Sequence, residues 1–340
     1  MADARAPHHL ISLNDLSKAQ VDDLLDLSMR MKKRPAKVEL SGKTVGLLFF
    51  RGSLRTRASL EAAMTQLGGN TINLTAASDF WELESASGTV MDGRAPEHVK
   101  DAAAVLSCYV NALAIRPKPA GNSWAVDRRD AEMRTWAQHS RVPVINMESC
   151  LWHPLQALAD LLTLRETLGE LRGKRLAIVW THSPTPASPA VVHSLLHAVL
   201  AQGMNVNVAH PEGFELDGEV LAQARAVADA SGAKFEHTPT AVGATQGAHV
   251  VYARSWHSIE DYGNATLAAS RRARTSSWMV DEKLMAHGTD AKLMHAMPVR
   301  RNLEVTDAVL DGPRSLVVRQ AENRLHSQKA LLSMLLRSPA

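Results

Sequence analysis

Thr44-Val45-Gly46-Leu47-Leu48-Phe49-Phe50 runs directly into Arg51-Gly52-Ser53-Leu54-Arg55-Thr56-Arg57, and the reading of this join decides the fold. The first seven residues are a short apolar run, the pattern of a buried strand. Ser53 is a good helix N-cap, and an amphipathic helical pattern follows over 54–67. Gly68-Gly69 ends that helix, and a second apolar run, Asn70–Leu74, begins at once. Strand, helix and strand in this order form one unit of a parallel sheet.

The same alternation extends outward in both directions. Further strand-like runs are Asn111–Arg116, Pro143–Asn146, Arg175–Trp180, Asn205–Ala209, Lys234–His237, His249–Ala253 and Lys292–Met297. Helical patterns lie near 97–108, 127–139, 153–168, 189–202, 217–231 and 320–336. Pro189 suits a first helical turn and Gly203 a helix end. The series restarts after Gly173. The expectation is an α/β protein with two doubly wound domains, each a central parallel sheet flanked by helices. The first domain is placed at 1–150 and the second at 151–319, with the helix of 320–340 returning to the first. A chain of 340 residues suits two domains.

Composition narrows the function classes. Hydrophobic residues make up 45% and aromatics only 4%, so the cores must be aliphatic. A net charge of +3 gives no reason to invoke nucleic acid or an anionic membrane. The two cysteines, Cys108 and Cys150, do not make a disulfide framework and fit a reducing compartment. No Cys/His cluster suggests a metal. The stretch Met1–His9 lacks the apolar segment of a signal peptide, and no apolar run approaches the ~20 residues of a membrane span. The expected location is the cytoplasm.

Ligand sites of such sheets lie beyond the C-terminal ends of the strands. After the strand ending at Phe50, Ser53 and its successors offer free backbone N–H groups at the positive end of a helix dipole, and Arg55 and Thr56 add a cation and a hydroxyl. These groups suit an anion. On the pattern alone, an anion site and a capped helix with solvated arginines stand level.

Ser53-Leu54-Arg55-Thr56-Arg57 resembles the S-x-R-T-R phosphate loop of the aspartate/ornithine carbamoyltransferase family. Three more blocks follow in the family's order. His153-Pro154-Leu155-Gln156-Ala157-Leu158-Ala159-Asp160 resembles H-P-x-Q-x-L-x-D. His295-Ala296-Met297-Pro298-Val299-Arg300-Arg301-Asn302 resembles H-C-L-P-x-R-x-N. Ala321-Glu322-Asn323-Arg324, ending in Gln328-Lys329, resembles A-E-N-R-x-x-x-Q-K. The likeness runs from about 40 to 337. Gly88–Gly93, Val144–Glu148 and Val251–Trp256 resemble the branch acting on N-acylated ornithines.

The resemblance implies carbamoyl transfer from carbamoyl phosphate to an amine, with no metal and no cofactor. It implies that Ser53, Leu54, Arg55 and Thr56 hold the phosphate. Arg116 would reach phosphate and carbonyl oxygen, and His153, Gln156 and Arg324 would hold the carbamoyl group, with main-chain carbonyls near Ala296 and Met297. Trp81 would reach the phosphate of a neighbouring subunit in a homotrimer; the alternative is a Trp buried under its own loop. Glu148, Arg254 and Met297 would meet the acceptor.

Several positions depart from the family. Ala296 replaces a Cys, Gly52 a common Pro, His193 an Asn and Arg254 a Lys. The loop Trp180–Pro186 is unlike the Asn-rich loop of plain ornithine carbamoyltransferases. Glu304 stands where the N-acetyl branch has a lysine that becomes carboxylated, and would supply a permanent anion. Pro96 stands where the acetyl branch has Glu and the succinyl branch Pro. A Glu would repel a succinyl carboxylate, whereas Pro leaves room for it. The acceptor implied is N-succinyl-L-ornithine, with N-acetyl-L-ornithine close behind, in arginine biosynthesis.

Three other readings remain open. A nucleotide-dependent dehydrogenase would suit the second sheet, but Thr181-His182-Ser183-Pro184 replaces the glycine-rich turn. A paralogue that binds carbamoyl phosphate without turnover is another, and a carbamoyltransferase for a different amine is the third.

Overall fold

The computed structural model describes residues 9–34 and 39–337. Met1–His8, read above for a leader, and 338–340 lie outside the described residues. Contacts divide the chain into two compact units. Unit 1 comprises residues up to Pro119, Val126–Leu158 and the chain from Arg324 onward; unit 2 comprises Ala120–Ala125 and Ala159–Asn323. The division therefore falls inside two continuous helices, Pro154–Leu168 and Val317–Leu336.

Unit 1 holds strands β1 (Thr44–Phe49), β2 (Asn70–Thr75), β3 (Leu83–Glu84), β4 (Glu97–His98), β5 (Ala112–Arg116) and β6 (Val144–Asn146). Four of them form a wholly parallel sheet in the order β2-β1-β5-β6, while β3 and β4 pair separately. Strand order reverses between β1 and β5, whose neighbours lie on opposite sides. Such a reversal opens a crevice beyond the strand ends. β1 is buried from its second residue onward. Leu48 packs with Leu113, Ile115, Met133 and Trp136 in the apolar core. Trp136 is fully buried; truncating such a side chain to Ala costs about 3–5 kcal/mol.

The helix after β1 spans Leu54–Gln66. Gly68, at φ +80°, turns the chain out of it, and a Cβ on Gly69 would lie 2.4 Å from the Met64 Cε and 3.0 Å from the Lys43 carbonyl. This close approach lets β2 start immediately. The C-terminal helix returns to unit 1, as expected. Lys329 Nζ donates to Gln66 Oε1 at 2.9 Å, and Ser333 Oγ to Glu39 Oε2 at 3.0 Å.

Unit 2 holds β7 (Arg175–Trp180), β8 (Asn205–Ala209), β9 (Phe235–His237), β10 (Val250–Arg254) and β11 (Lys292–Met294). They form a parallel sheet in the order β11-β10-β7-β8-β9. The reversal here lies between β7 and β10, where Arg254 sits opposite Trp180. The helix Ala190–Ala201 is mostly apolar and buried almost throughout, His193, Ser194 and His197 included, as suits a helix covered on most sides.

Three local expectations need correction. The helix expected from 97 begins at Val99, because Glu97–His98 pairs with Leu83–Glu84 as β4. The helix expected over 127–139 is split into Trp124–Asp127 and Ala131–His139. Asp130 stands between them in the left-handed region, at φ 48°. The helix Lys18–Lys33 was not anticipated.

Among the described residues no helix is long and apolar enough to cross a membrane. Among them, also, no group of three or more His, Cys, Asp or Glu is placed to hold a metal.

Candidate active site

The reversal in unit 1 gathers most of the phosphate-site residues named above. Ser53 caps the helix Leu54–Gln66, its Oγ accepting from the Thr56 N–H at 3.3 Å. Thr56 is fully buried. Its Oγ1 accepts from Arg324 at 2.6 Å and from Arg116 at 3.4 Å. Arg116 also donates to Ser53 Oγ at 3.1 Å. Two guanidinium groups from distant parts of the chain thus converge on one helix N-terminus, where N–H groups and the dipole already favour negative charge. Leu54 and Arg55 occupy the first turn of that helix, with Leu54 79% exposed. Arg57 turns elsewhere: its guanidinium lies 4.4 Å from the centroid of the Phe49 ring and donates to Thr75 Oγ1.

Glu148 and His153 lie beside these arginines. Arg116 Nη2 is 2.6 Å from Glu148 Oε2, and Arg51 Nη2 is 3.6 Å from Glu148 Oε1. His153 Nε2 is 4.0 Å from Glu148 Oε2. Burial holds the His153 imidazole well below its usual pKa; Glu148 opposes that effect, while Arg324, Arg116 and Arg51 add to it. The ring is therefore neutral at physiological pH and can offer one N–H as a donor. Gln156, also buried, lies three residues on, near the start of the same helix.

A hydrogen-bonded turn positions Glu148 and His153. Asn146 Nδ2 donates to the carbonyls of Ile11 and Trp152 and to Ser149 Oγ. Asp130 accepts from Ser149 Oγ and from the Cys150 N–H. Burial pushes the Asp130 carboxyl up to about 6, against the pull of these hydrogen bonds. Sequence reasoning missed Arg51, Asp130 and Ser149 as supports of the site.

Trp81 is 56% exposed, which excludes a Trp buried under its own loop. Its Nε1 donates to Glu97 Oε2 at 2.8 Å. Pro96, also exposed, immediately precedes Glu97, so Trp81 and Pro96 share one surface loop system of unit 1. Gly52 has open space where a Cβ would stand.

Unit 2 carries the other named residues. Arg254 ends β10 and is buried. Its Nε, together with the hydroxyls of the buried Thr181 and Ser255, has no hydrogen-bond partner among the described residues. All three lie at the sheet reversal. Ala296 is buried, and Met297 packs partly against the core with φ 54°. Glu304 is buried as well, and its Oε2 lies 2.8 Å from His295 Nε2. The Met297 N–H donates to His295 Nδ1 at 2.9 Å, which puts the ring proton on Nε2, facing Glu304. His193 is fully buried and accepts from the Asp217 N–H. Asp160, the last member of its block, is tied to Tyr252 at 3.0 Å and Gln320 at 2.7 Å. It serves the packing of unit 2.

Known proteins resemble this chain along almost its whole length. Residues 8–166 match the model of the aspartate/ornithine carbamoyltransferase carbamoyl-P binding domain, and 173–335 match that of the Asp/Orn binding domain. The chain belongs to the aspartate/ornithine carbamoyltransferase family. It is a carbamoyltransferase. N-acetylornithine carbamoyltransferase of Xanthomonas campestris is 38% identical over 96% of this chain and 97% of its own length. N-succinylornithine carbamoyltransferase of Bacteroides fragilis is 35% identical over 93% and 97%. Ornithine carbamoyltransferase of a Parafrankia strain is 40% identical over 96% of each. The solved acetylornithine transcarbamylase complexed with acetylcitrulline is similar at a TM-score of 0.94, with 38% identity over 96% of this chain and 98% of that one. The dehydrogenase reading is thereby set aside.

Proposed function

We propose that this enzyme transfers the carbamoyl group of carbamoyl phosphate to the side-chain amine of an N-acylated ornithine, with N-succinyl-L-ornithine preferred to N-acetyl-L-ornithine. The observation that carries the donor half is the convergence of Arg116 and Arg324 on Thr56 at the Ser53-capped helix. A phosphate dianion needs cations and N–H donors in one place, and these residues supply both. In the reaction the amine lone pair attacks the carbamoyl carbon and a C–N bond forms. The carbonyl oxygen takes up negative charge, the carbon–oxygen bond to phosphate then breaks with its electron pair, and the proton of the amine passes to the departing phosphate. Arg116, Arg324 and the neutral His153 stabilise the charge on oxygen, while Gln156 accepts from the carbamoyl NH₂. The residues that hold the donor are Ser53, Leu54, Arg55, Thr56, Arg116, His153, Gln156 and Arg324, with main-chain carbonyls near Ala296 and Met297.

For the acceptor, Glu148, Arg254 and Met297 are the contacts. Buried polar atoms are hydrogen-bonded as a rule, so Arg254 Nε and the Thr181 and Ser255 hydroxyls suit an oxyanion or amide supplied from outside the chain. Overall identity does not sort the acceptors, since relatives acting on ornithine and on both acylornithines stand within a few per cent of one another. Pro96 carries the choice. It supplies no charge against a succinyl carboxylate. Acetylornithine transcarbamylase variants with a glutamate replaced by proline or alanine have been solved with carbamyl phosphate and N-succinyl-L-norvaline. Glu304 supplies the anion that a carboxylated lysine would supply, and polarises His295. The enzyme works in the cytoplasm as a homotrimer, Trp81 of one subunit reaching the phosphate of the next, and serves arginine biosynthesis.

The test is turnover with an acceptor panel, read as phosphate release and carbamoylated product. N-succinyl-L-ornithine should give the highest kcat/KM. A strong preference for N-acetyl-L-ornithine overturns the acyl assignment; a preference for free ornithine or another amine overturns the acceptor class. Binding of carbamoyl phosphate without turnover of any acceptor would leave the non-catalytic paralogue.

A further inference from the structure

The Glu148 carboxylate is badly placed for a chain that must take up a dianion. It lies buried, 2.6 Å from the Arg116 guanidinium that the phosphate requires. A dianion and a buried carboxylate repel each other across such a distance, so both cannot use Arg116 at full strength. Arg51 stands on the other side of the carboxylate. Its Nη2 is 3.6 Å from Glu148 Oε1 and is held in place by the Glu148 carbonyl at 2.9 Å, while its Nε donates to the Pro117 carbonyl at 3.1 Å. These contacts fix a second guanidinium already at ion-pair distance from the other oxygen of the carboxylate, so the carboxylate bridges the two, closer to Arg116. His153 is a further titratable neighbour, its Nε2 4.0 Å from Glu148 Oε2; being neutral, it competes for neither charge.

Resting on the donor reading above, we infer that Glu148 is a positioning residue with two stations. Without the donor, its carboxylate holds Arg116 in place as an internal counter-ion. When phosphate or carbamoyl phosphate arrives, the carboxylate passes from Arg116 to Arg51, and Arg116 is handed to the dianion. Arg51 has no role toward the phosphate itself; it acts by receiving Glu148.

The probe is inorganic phosphate, titrated calorimetrically into the full-length protein and into Glu148→Gln, Arg51→Gln and the double variant. Thermal melts show that each is folded, and Glu148→Asp serves if Glu148→Gln is not. Glu148→Gln should bind phosphate at least tenfold more tightly, and Glu148→Asp by a smaller factor. Arg51→Gln should bind at least threefold more weakly, and the double variant should match Glu148→Gln. A direct Arg51–phosphate contact, or a merely structural Arg51, would keep its loss in the double variant, and that result overturns the switch. Unchanged or weakened binding in Glu148→Gln overturns it too, while leaving the donor site intact. No phosphate binding by the folded wild-type protein overturns the donor site and the switch together.

Discussion

The two sheets follow one topological rule and arrive at different states. In unit 1 the reversal lies between β1 and β5, and the charged groups beyond it are linked to one another: Arg116 to Glu148, Ser53 and Thr56, and Arg324 to Thr56. In unit 2 the reversal lies between β7 and β10, and Arg254 Nε and the Thr181 and Ser255 hydroxyls there have no hydrogen-bond partner among the described residues; in unit 1 the Nε atoms of Arg116 and Arg324 share that state, but their Nη groups are bonded. The first arrangement suits a small anion, the charge that the proposed donor carries. The second offers polar groups that suit the proposed acceptor. Preorganisation favours catalysis because the dipoles need not reorganise as charge develops.

The largest effect should come from breaking the linked side. Arg116→Gln or Arg324→Gln should lower kcat/KM by about a thousandfold, the loss typical of a removed oxyanion donor. The loss should appear in kcat as well as in KM for carbamoyl phosphate. Arg254→Gln should behave differently: KM for the acceptor should rise by about ten- to a hundredfold, in line with a lost charge-assisted hydrogen bond. Its phosphate affinity, read by calorimetry, should stay at the wild-type value; a fall in both would erase the distinction between the sheets. Pro96→Glu should then sharpen the comparison, moving preference from the succinyl to the acetyl acceptor by about tenfold; an unchanged succinyl-to-acetyl ratio of kcat/KM would remove Pro96 from the specificity machinery.

The smallest effect concerns stability. His153 in unit 1 and His197, His210 and His257 in unit 2 are all held below the usual histidine pKa, chiefly by burial. The unfolded chain takes up these protons below about pH 6.5 while the folded chain does not, so stability falls as pH drops through that range. Asp130 has the opposite sign: its carboxyl, raised to about 6 in the folded state, favours folding on the acid side and lessens the fall. His153→Gln should recover about 1 kcal/mol of the loss between pH 7 and pH 5.5, measured by chemical denaturation. Parallel curves for the variant and the wild type would mean that the ring takes up a proton in the folded state.

The sequence disclosed what local pattern can carry. The run Thr44–Phe49 is apolar and bounded, and Ser53 with the helix behind it is a local signal, so the strand and its capped helix were legible before any contact was known. The helix Lys18–Lys33 was equally legible in principle. Ser17 and Gln20 form a capping box, and Val21, Leu24, Leu25, Ser28 and Met31 make its buried face. Other features were not local. Asp130 breaks a helix because its carboxylate bonds Ser149 and Cys150, far along the chain. Glu97–His98 become a strand only because Leu83–Glu84 lies alongside. Arg51 reads as one more loop arginine until Glu148 is found beside it. Arg57, inside the most telling block, turned out to stack on Phe49. Motif spacing identifies a loop, but only packing decides which of its members face the ligand.

The most direct measurement is a crystal structure of this enzyme with carbamoyl phosphate bound. The phosphate should lie at the N-terminus of the helix Leu54–Gln66, with oxygens within hydrogen-bonding distance of the Thr56 hydroxyl and the Arg116 guanidinium, and with the carbamoyl oxygen facing His153 and Arg324. Donor density anywhere else, with Arg116 still paired to Glu148, would contradict the account.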